Sequence, residues 1–197
     1  MKQEIERRFN LNIARVRNLV QIYTDQLSGD GQGRRGHQDT DVLRAAVVLL
    51  HASVEDVLRS LAYWKLPDAS SDVLEKIPLA GGTSTKFTLG TLSAKRGSTV
   101  DEIIKESVDA SLERSNYNNP REVCALLESI GLNTAPITPF LTDLENTMTR
   151  RHQIVHRADK NPNTGSGQHQ FDSISPPTVN AWARNVEDFM SAVLSQV

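Results

Sequence analysis

Apolar residues recur at three- and four-residue intervals along most of the chain, which is the period of an amphipathic helix. A first helix is predicted over about residues 1–27, and a second, the most apolar, over about 41–65, before Pro67. The stretch 28–36 contains four glycines and is predicted to be a loop, because glycine disfavours helix. The most apolar helix is expected to be the central one.

The second half of the chain is also predicted to be helical. Glycines and prolines interrupt residues 66–98, where only a short helix near 89–95 is expected. Further helices are predicted over 99–117, 120–131, 139–158 and 176–197. No convincing alternating strand occurs, so we predict an all-α helical bundle in a single domain, residues 1–197, with residues 66–138 as an inserted helical segment.

Composition narrows the function classes. The 197 residues carry a formal net charge of -2, so any contact with nucleic acid must be local rather than a general basic attraction. A single cysteine, Cys124, excludes an internal disulfide and a cysteine-based zinc cluster within the chain. Since no apolar run is long enough to span a bilayer and the N-terminus is charged, we expect a cytoplasmic protein that makes no membrane contact.

The stretch from Arg150 to Asp159, near the end of the helix predicted over 139–158, is the richest in chemistry. At about 100° per residue, Arg151 falls in the middle of an apolar stripe, and His152 and His156 lie at its border. The apolar members of the stripe are Phe140, Leu141, Leu144, Met148, Val155 and Ala158. An arginine that points inward is costly unless a carboxylate or a bound anion meets it.

A polar stripe on the second helix offers such a carboxylate. Its members stand at spacings of seven, four and four, and they are Arg44, His51, Glu55 and Arg59. If the two helices pack together, Glu55 can hold Arg151 and leave part of its fork aimed at a phosphate, the geometry that arginine serves best. We therefore predict an ion pair between Glu55 and Arg151.

The run Arg151-His152-Gln153-Ile154-Val155-His156 resembles the R-x4-6-H motif of the HEPN superfamily. The earlier run from His51 to Arg59 is similar to the HEPN helix that carries an acidic residue. The segment is most similar to the RiboL-PSP-HEPN group. The resemblance covers roughly residues 1–65 and 139–197, which makes 66–138 a lineage-specific insertion.

The resemblance implies a metal-independent endoribonuclease that works as a homodimer, with both motifs facing one cleft and with no cofactor. A role as a toxin or an antiphage defence effector follows from the same resemblance, with an antitoxin or regulatory protein as a restraining partner. Cleavage by the ribose 2′-hydroxyl needs a proton acceptor and a cation beside the phosphorus. His156 and Arg151 would fill these roles.

Other polar groups receive supporting roles in this reading. His152 would hold the phosphate or orient His156, one helical turn away. Arg150 and Arg157 point elsewhere on the wheel and would guide the RNA backbone without choosing a sequence. His51 and Arg59, on the polar stripe, are also predicted to bind substrate.

Three alternatives remain open. The two histidines could be a half-buried pair stabilised by the helix dipole. They could also bind zinc, since their spacing is that of H-E-x-x-H, although Gln153 replaces the glutamate and no third ligand is evident. Finally, the chain could be a non-catalytic HEPN-like module that binds nucleotide, RNA or a partner protein, with Arg151 merely structural. No Y-x-Y signal follows the motif, which disfavours pairing with a nucleotidyltransferase antitoxin.

Overall fold

Eight α-helices, with no strand between them, make up the regular structure of the described part of the chain. The computed structural model describes residues 1–29, 39–161 and 171–197. The helices are α1 (Lys2–Ile22), α2 (Asp41–Lys65), α3 (Ser71–Leu74), α4 (Leu89–Ser93), α5 (Val100–Leu112), α6 (Pro120–Ser129), α7 (Leu141–Arg157) and α8 (Pro176–Leu194). The predicted all-α class is confirmed.

Helix α2 is the centre of the bundle, as its apolar character predicted. It packs against α1 along its length and also contacts α7, α8, α5 and α6. Its buried apolar side chains are Leu43, Ala46, Val47, Leu50, Val54, Val57, Leu58, Leu61 and Ala62. Each fully buried leucine contributes about 1.5–3 kcal/mol relative to exposure, so this helix organises the core.

The segment 66–138 forms four short helices, two of which pack on α2. Helix α5 starts with a capping box in which Thr99 and Glu102 bond each other's backbone N–H groups. Asn119 caps α6 in the same region. Both starts were predicted, whereas α3 was not, and α5 ends at Leu112 rather than near residue 117. The loop 113–119 is therefore free to reach the neighbourhood of α7.

The helix that carries the motif begins slightly later than predicted. Residues Ala135–Phe140 form a 3-10 turn, and α7 starts at Leu141 instead of Pro139. Pro136 and Pro139 lack the N–H groups that an α-helix would need there. Buried Ile137 anchors the turn to the core.

Two predicted loops lie largely outside the described residues. The glycine-rich loop predicted over 28–36 is described only at Ser28 and Gly29, and residues 162–170 after α7 are also outside it. Among the helices that the structure describes, none combines the length and the apolar character that a membrane span requires.

Candidate functional site

The last turn of α7 brings the motif to the surface. The helix ends because Ala158 and Asp159 take left-handed backbone conformations, with φ of 47° and 58°. The Asp159 N–H donates to the Gln153 carbonyl at 3.1 Å, which closes the turn. His152, His156 and Arg157 are exposed around this end.

His152 and His156 contact each other one helical turn apart. Their ring centroids are 4.6 Å apart and the ring planes are tilted by 43°. Both side chains are exposed, so the interpretation as a half-buried structural pair is wrong. Two accessible imidazoles side by side offer nitrogen atoms that can take up or give a proton.

Arg151 lies partly inside the protein and directly precedes His152 in the sequence. Its Nη1 donates to Oδ1 of Asn118 at 3.4 Å, a long hydrogen bond. Its Nε is buried and has no hydrogen-bond partner in residues 1–29, 39–161 and 171–197. The guanidinium therefore keeps unused donor capacity, which suits a bound anion.

The predicted ion pair between Glu55 and Arg151 is wrong. Glu55 lies instead against His51, whose Nε2 is 3.3 Å from its Oε1. The adjacent His51 imidazole is the main cause that lowers the pKa of Glu55, and the charges of Arg151 and Arg59 add to the effect. The charges of Glu55 and Arg151 therefore interact, but the two side chains make no ion-pair contact. The one-turn spacing on α2 places Glu55 against His51 instead.

His51 lacks the solvent access that substrate binding needs, and the Arg59 guanidinium is occupied by contacts within the protein. His51 is only 1% exposed. Arg59 donates to the backbone carbonyls of Leu112 and Ser115, and its Cζ lies 6.0 Å from the ring centroid of Tyr117. Arg59 thus binds the C-terminal end of α5, where carbonyls lack helical partners, and attaches the segment 66–138 to α2. Burial raises the pKa of the Tyr117 hydroxyl above its ordinary value.

Arg150 occupies an internal ion cluster instead of guiding a nucleic-acid backbone. Its Nη2 lies 2.7 Å from Oδ2 of Asp159, a carboxylate that is completely buried. Arg44 of α2 contacts the same oxygen through Nε at 2.6 Å. The role predicted for Arg150 is therefore replaced by a structural one, whereas Arg157 is exposed and accessible to substrate.

Two residues near the motif were missed by sequence reasoning. Asn118, in the segment 66–138, contacts Arg151, and their separation of 33 residues in sequence hides this contact. Asp159 is the carboxylate closest to the motif in sequence, which was the available signal, but its position beyond the helix suggested a surface loop.

The described residues contain no group of three or more His, Cys, Asp or Glu side chains placed to hold a metal ion. In a comparison with known families, the RiboL-PSP-HEPN family matches residues 11–197, a range that includes 66–138 as well as the flanking helices. No curated protein and no solved structure matches the chain.

Proposed function

Because the chain belongs to the RiboL-PSP-HEPN family, we propose that it is a metal-independent endoribonuclease acting through Arg151, His152 and His156. The observation that carries the proposal is the cluster at the end of α7. A partly satisfied guanidinium and two exposed imidazoles in contact are carried by six consecutive residues of α7, from Arg151 to His156. A cation for a phosphate and a proton acceptor for a hydroxyl are the groups that RNA cleavage requires.

The proposed reaction is an internal transesterification. The ribose 2′-oxygen attacks the adjacent phosphorus and transfers its proton to His156. The bond from phosphorus to the 5′-oxygen breaks, and that oxygen takes a proton from His152. The products are a 2′,3′-cyclic phosphate and a 5′-hydroxyl end. Proton transfer by a positioned side chain typically contributes about 10²–10⁴-fold to the rate.

Arg151 would stabilise the negative charge that develops on the phosphorane oxygens. Its terminal nitrogens make only one long bond among the described residues, to Asn118, which leaves donors for a phosphate oxygen. Glu55 would orient the guanidinium by charge from α2. Exposed Arg157 would contact the RNA backbone on the outer side.

We also propose that the protein acts as a homodimer. An apolar strip at helical spacing, Ala45, Val48, Leu49 and Ala52, lies partly or fully exposed on α2. Ile154 of α7 borders the strip, and together they line an open groove of about 880 Å³ beside the motif. Val155 of the same turn is 48% exposed. Pairing of two copies over this strip would cover apolar surface and bring the two motifs close together.

A non-catalytic binding module is the second candidate, and one observation favours it. Three of the groups predicted to contact substrate, His51, Arg59 and Arg150, are engaged inside the protein. The local positive charge available to RNA is therefore smaller than the sequence indicated. Such a module would bind RNA, nucleotide or a partner protein and leave RNA intact.

Cleavage of end-labelled RNA in the presence of EDTA tests the proposal. The parent protein is expected to yield 2′,3′-cyclic phosphate ends, and Arg151→Ala and His156→Ala are each expected to lose about 10²-fold or more in rate. Arg184→Ala, an exposed arginine on α8, is the matched control and should cleave normally.

An intact RNA pool with every variant would contradict the nuclease. RNA or protein binding that survives both substitutions would then favour the module. A toxin or defence role, restrained by a partner protein, is the setting that we propose for the nuclease; it predicts that expression of the parent slows cell growth and that His156→Ala does not.

A further inference from the structure

An ion cluster around Asp159 lies beside the motif and includes neither of the exposed imidazoles, His152 and His156. Oδ2 of Asp159 lies 2.6 Å from Arg44 Nε on α2 and 2.7 Å from Arg150 Nη2 on α7. Arg44 also donates to Thr40 Oγ1 at 2.6 Å. The Asp172 carbonyl accepts from both guanidinium groups, at 3.1 Å from Arg44 and 2.9 Å from Arg150. The cluster ties α2, α7 and the chain before α8 together.

The Asp159 backbone is held as tightly as its side chain. Its N–H donates to the Gln153 carbonyl at 3.1 Å, and its carbonyl accepts from the Asp172 N–H at 3.2 Å. Two consecutive left-handed residues without glycine, Ala158 and Asp159, are unfavourable unless the surroundings impose them. A completely buried carboxylate shared by two arginines supplies that constraint.

These contacts bracket the reactive groups in sequence. Asp159 is bound through its side chain to Arg150, directly before Arg151, and through its backbone to Gln153, directly after His152. His156 lies between these points and the left-handed turn. Beside the core packing of α7, Asp159 therefore helps to hold all three proposed reactive side chains in place relative to α2.

We propose that Asp159 is a positioning residue of the motif, acting through Arg150, Arg44 and the last turn of α7. This inference rests on the proposed endoribonuclease function. Asp159 fixes where Arg151 and His156 stand relative to each other and to Glu55, and it does not touch the RNA. A displacement of about 1 Å in such a group can reduce a rate by about 10²-fold.

Asp159→Asn is the direct test, because it removes the charge and keeps the shape. Oδ1 of Asp159 has no hydrogen-bond partner among the described residues, so the new amide nitrogen can take that place while the oxygen stays between the arginines. We expect kcat on a short RNA to fall at least about tenfold, with KM changed less than about threefold. Hydrogen exchange of the backbone amides at 150–157 should accelerate more than exchange in α1.

Asp56→Asn is the matched control. Asp56 pairs with Arg8 between α2 and α1, with Nε–Oδ2 and Nη2–Oδ1 distances of 3.2 and 3.1 Å. Its loss should lower thermal stability without changing kcat, which separates positioning from general stability.

If Asp159→Asn is unfolded at the assay temperature, Arg44→Lys takes its place, because it keeps the charge and loses the fork. A folded variant with parental kcat and unchanged exchange at 150–157 overturns the proposal. If the parent itself leaves RNA intact, the proposed nuclease fails. The exchange comparison then decides by itself whether Asp159 holds the end of α7.

Discussion

Arg150 and Arg151 are neighbours in sequence but lie in opposite environments. Arg150 is 13% exposed, and its guanidinium meets one buried carboxylate, a second carboxylate at 3.5 Å and two backbone carbonyls. Arg151 is partly buried as well, but the hydrogen bond that it makes among the described residues is the long one to Asn118. The Nε of each arginine is buried without a partner in the described part of the chain, so the two differ at their terminal nitrogens. Arg150 lies at Asp159, which also contacts Arg44 of α2. Arg151 instead lies near enough to Glu55 of α2 for their charges to interact.

The difference indicates which arginine can take a ligand. The Arg150 guanidinium contacts carboxylates and backbone carbonyls through its two terminal nitrogens, so it contributes to stability and would lose these contacts by binding a phosphate. A guanidinium with spare donors in a partly dry setting gains by binding an anion. The comparison corrects the sequence-based role of Arg150 from guiding RNA to holding the fold, and it leaves Arg151 as the arginine proposed to meet the phosphate.

Replacing each arginine by alanine separates the two roles, and this is the largest expected effect. Arg151→Ala should lose about 10²–10³-fold in RNA cleavage, about 2.7–4 kcal/mol of transition-state stabilisation. Arg150→Ala should lose about 2–3 kcal/mol of folding free energy, below the full cost of a broken buried pair because Arg44 still meets Asp159. That corresponds to a fall in Tm of roughly 5–10 °C for a chain of this size.

Cleavage assays and thermal melting of both variants check this prediction. Arg151→Ala should melt within about 2 °C of the parent, since its contacts are few. The proposed division of roles between Arg150 and Arg151 is wrong if both variants show the same ratio of lost activity to lost stability.

Glu55→Gln tests the surroundings of Arg151 through the pH dependence of the folding free energy. The pKa of Glu55 is lower in the folded protein than its ordinary value of 4.5, chiefly because of His51. The stability it contributes is therefore present above pH 4.5 and is lost as the pH falls through the lower folded pKa. Glu55→Gln should be less stable than the parent by about 1 kcal/mol at pH 7.

Urea unfolding between pH 7 and pH 3 measures that gap, which should narrow toward acid. Glu145→Gln, an exposed carboxylate on α7, is the control and should show no such change. A gap that stays constant or widens toward acid would show that the charge of Glu55 does not stabilise the fold.

Asn118→Ala gives the smallest expected effect. The bond from Arg151 is long at 3.4 Å, so its loss should cost about 0.5 kcal/mol and raise KM for RNA roughly twofold. Asn116→Ala, exposed in the same loop, is the control. If Asn118→Ala and Asn116→Ala have the same KM, the segment 66–138 does not help to orient Arg151.

Much of the fold is readable from local signals. The starts of α5, α6 and α8 follow from a capping threonine, asparagine and serine, each of which accepts a backbone N–H in the structure. The end of α5 was predicted about five residues too late, because Arg59 of α2 binds the carbonyls there. A contact across 53 residues leaves no local trace.

The sequence by itself determined the all-α class, the central helix and the motif with its pair of histidines, because helical period, caps and spacing are local properties of the chain. Only the tertiary structure decided the partners: His51 rather than Arg151 for Glu55, Asp159 for Arg150, and Asn118 for Arg151. Helical spacing states which face a side chain occupies. Which charge meets it depends on how segments far apart in sequence pack, and the free energy of a buried pair is set by that packing.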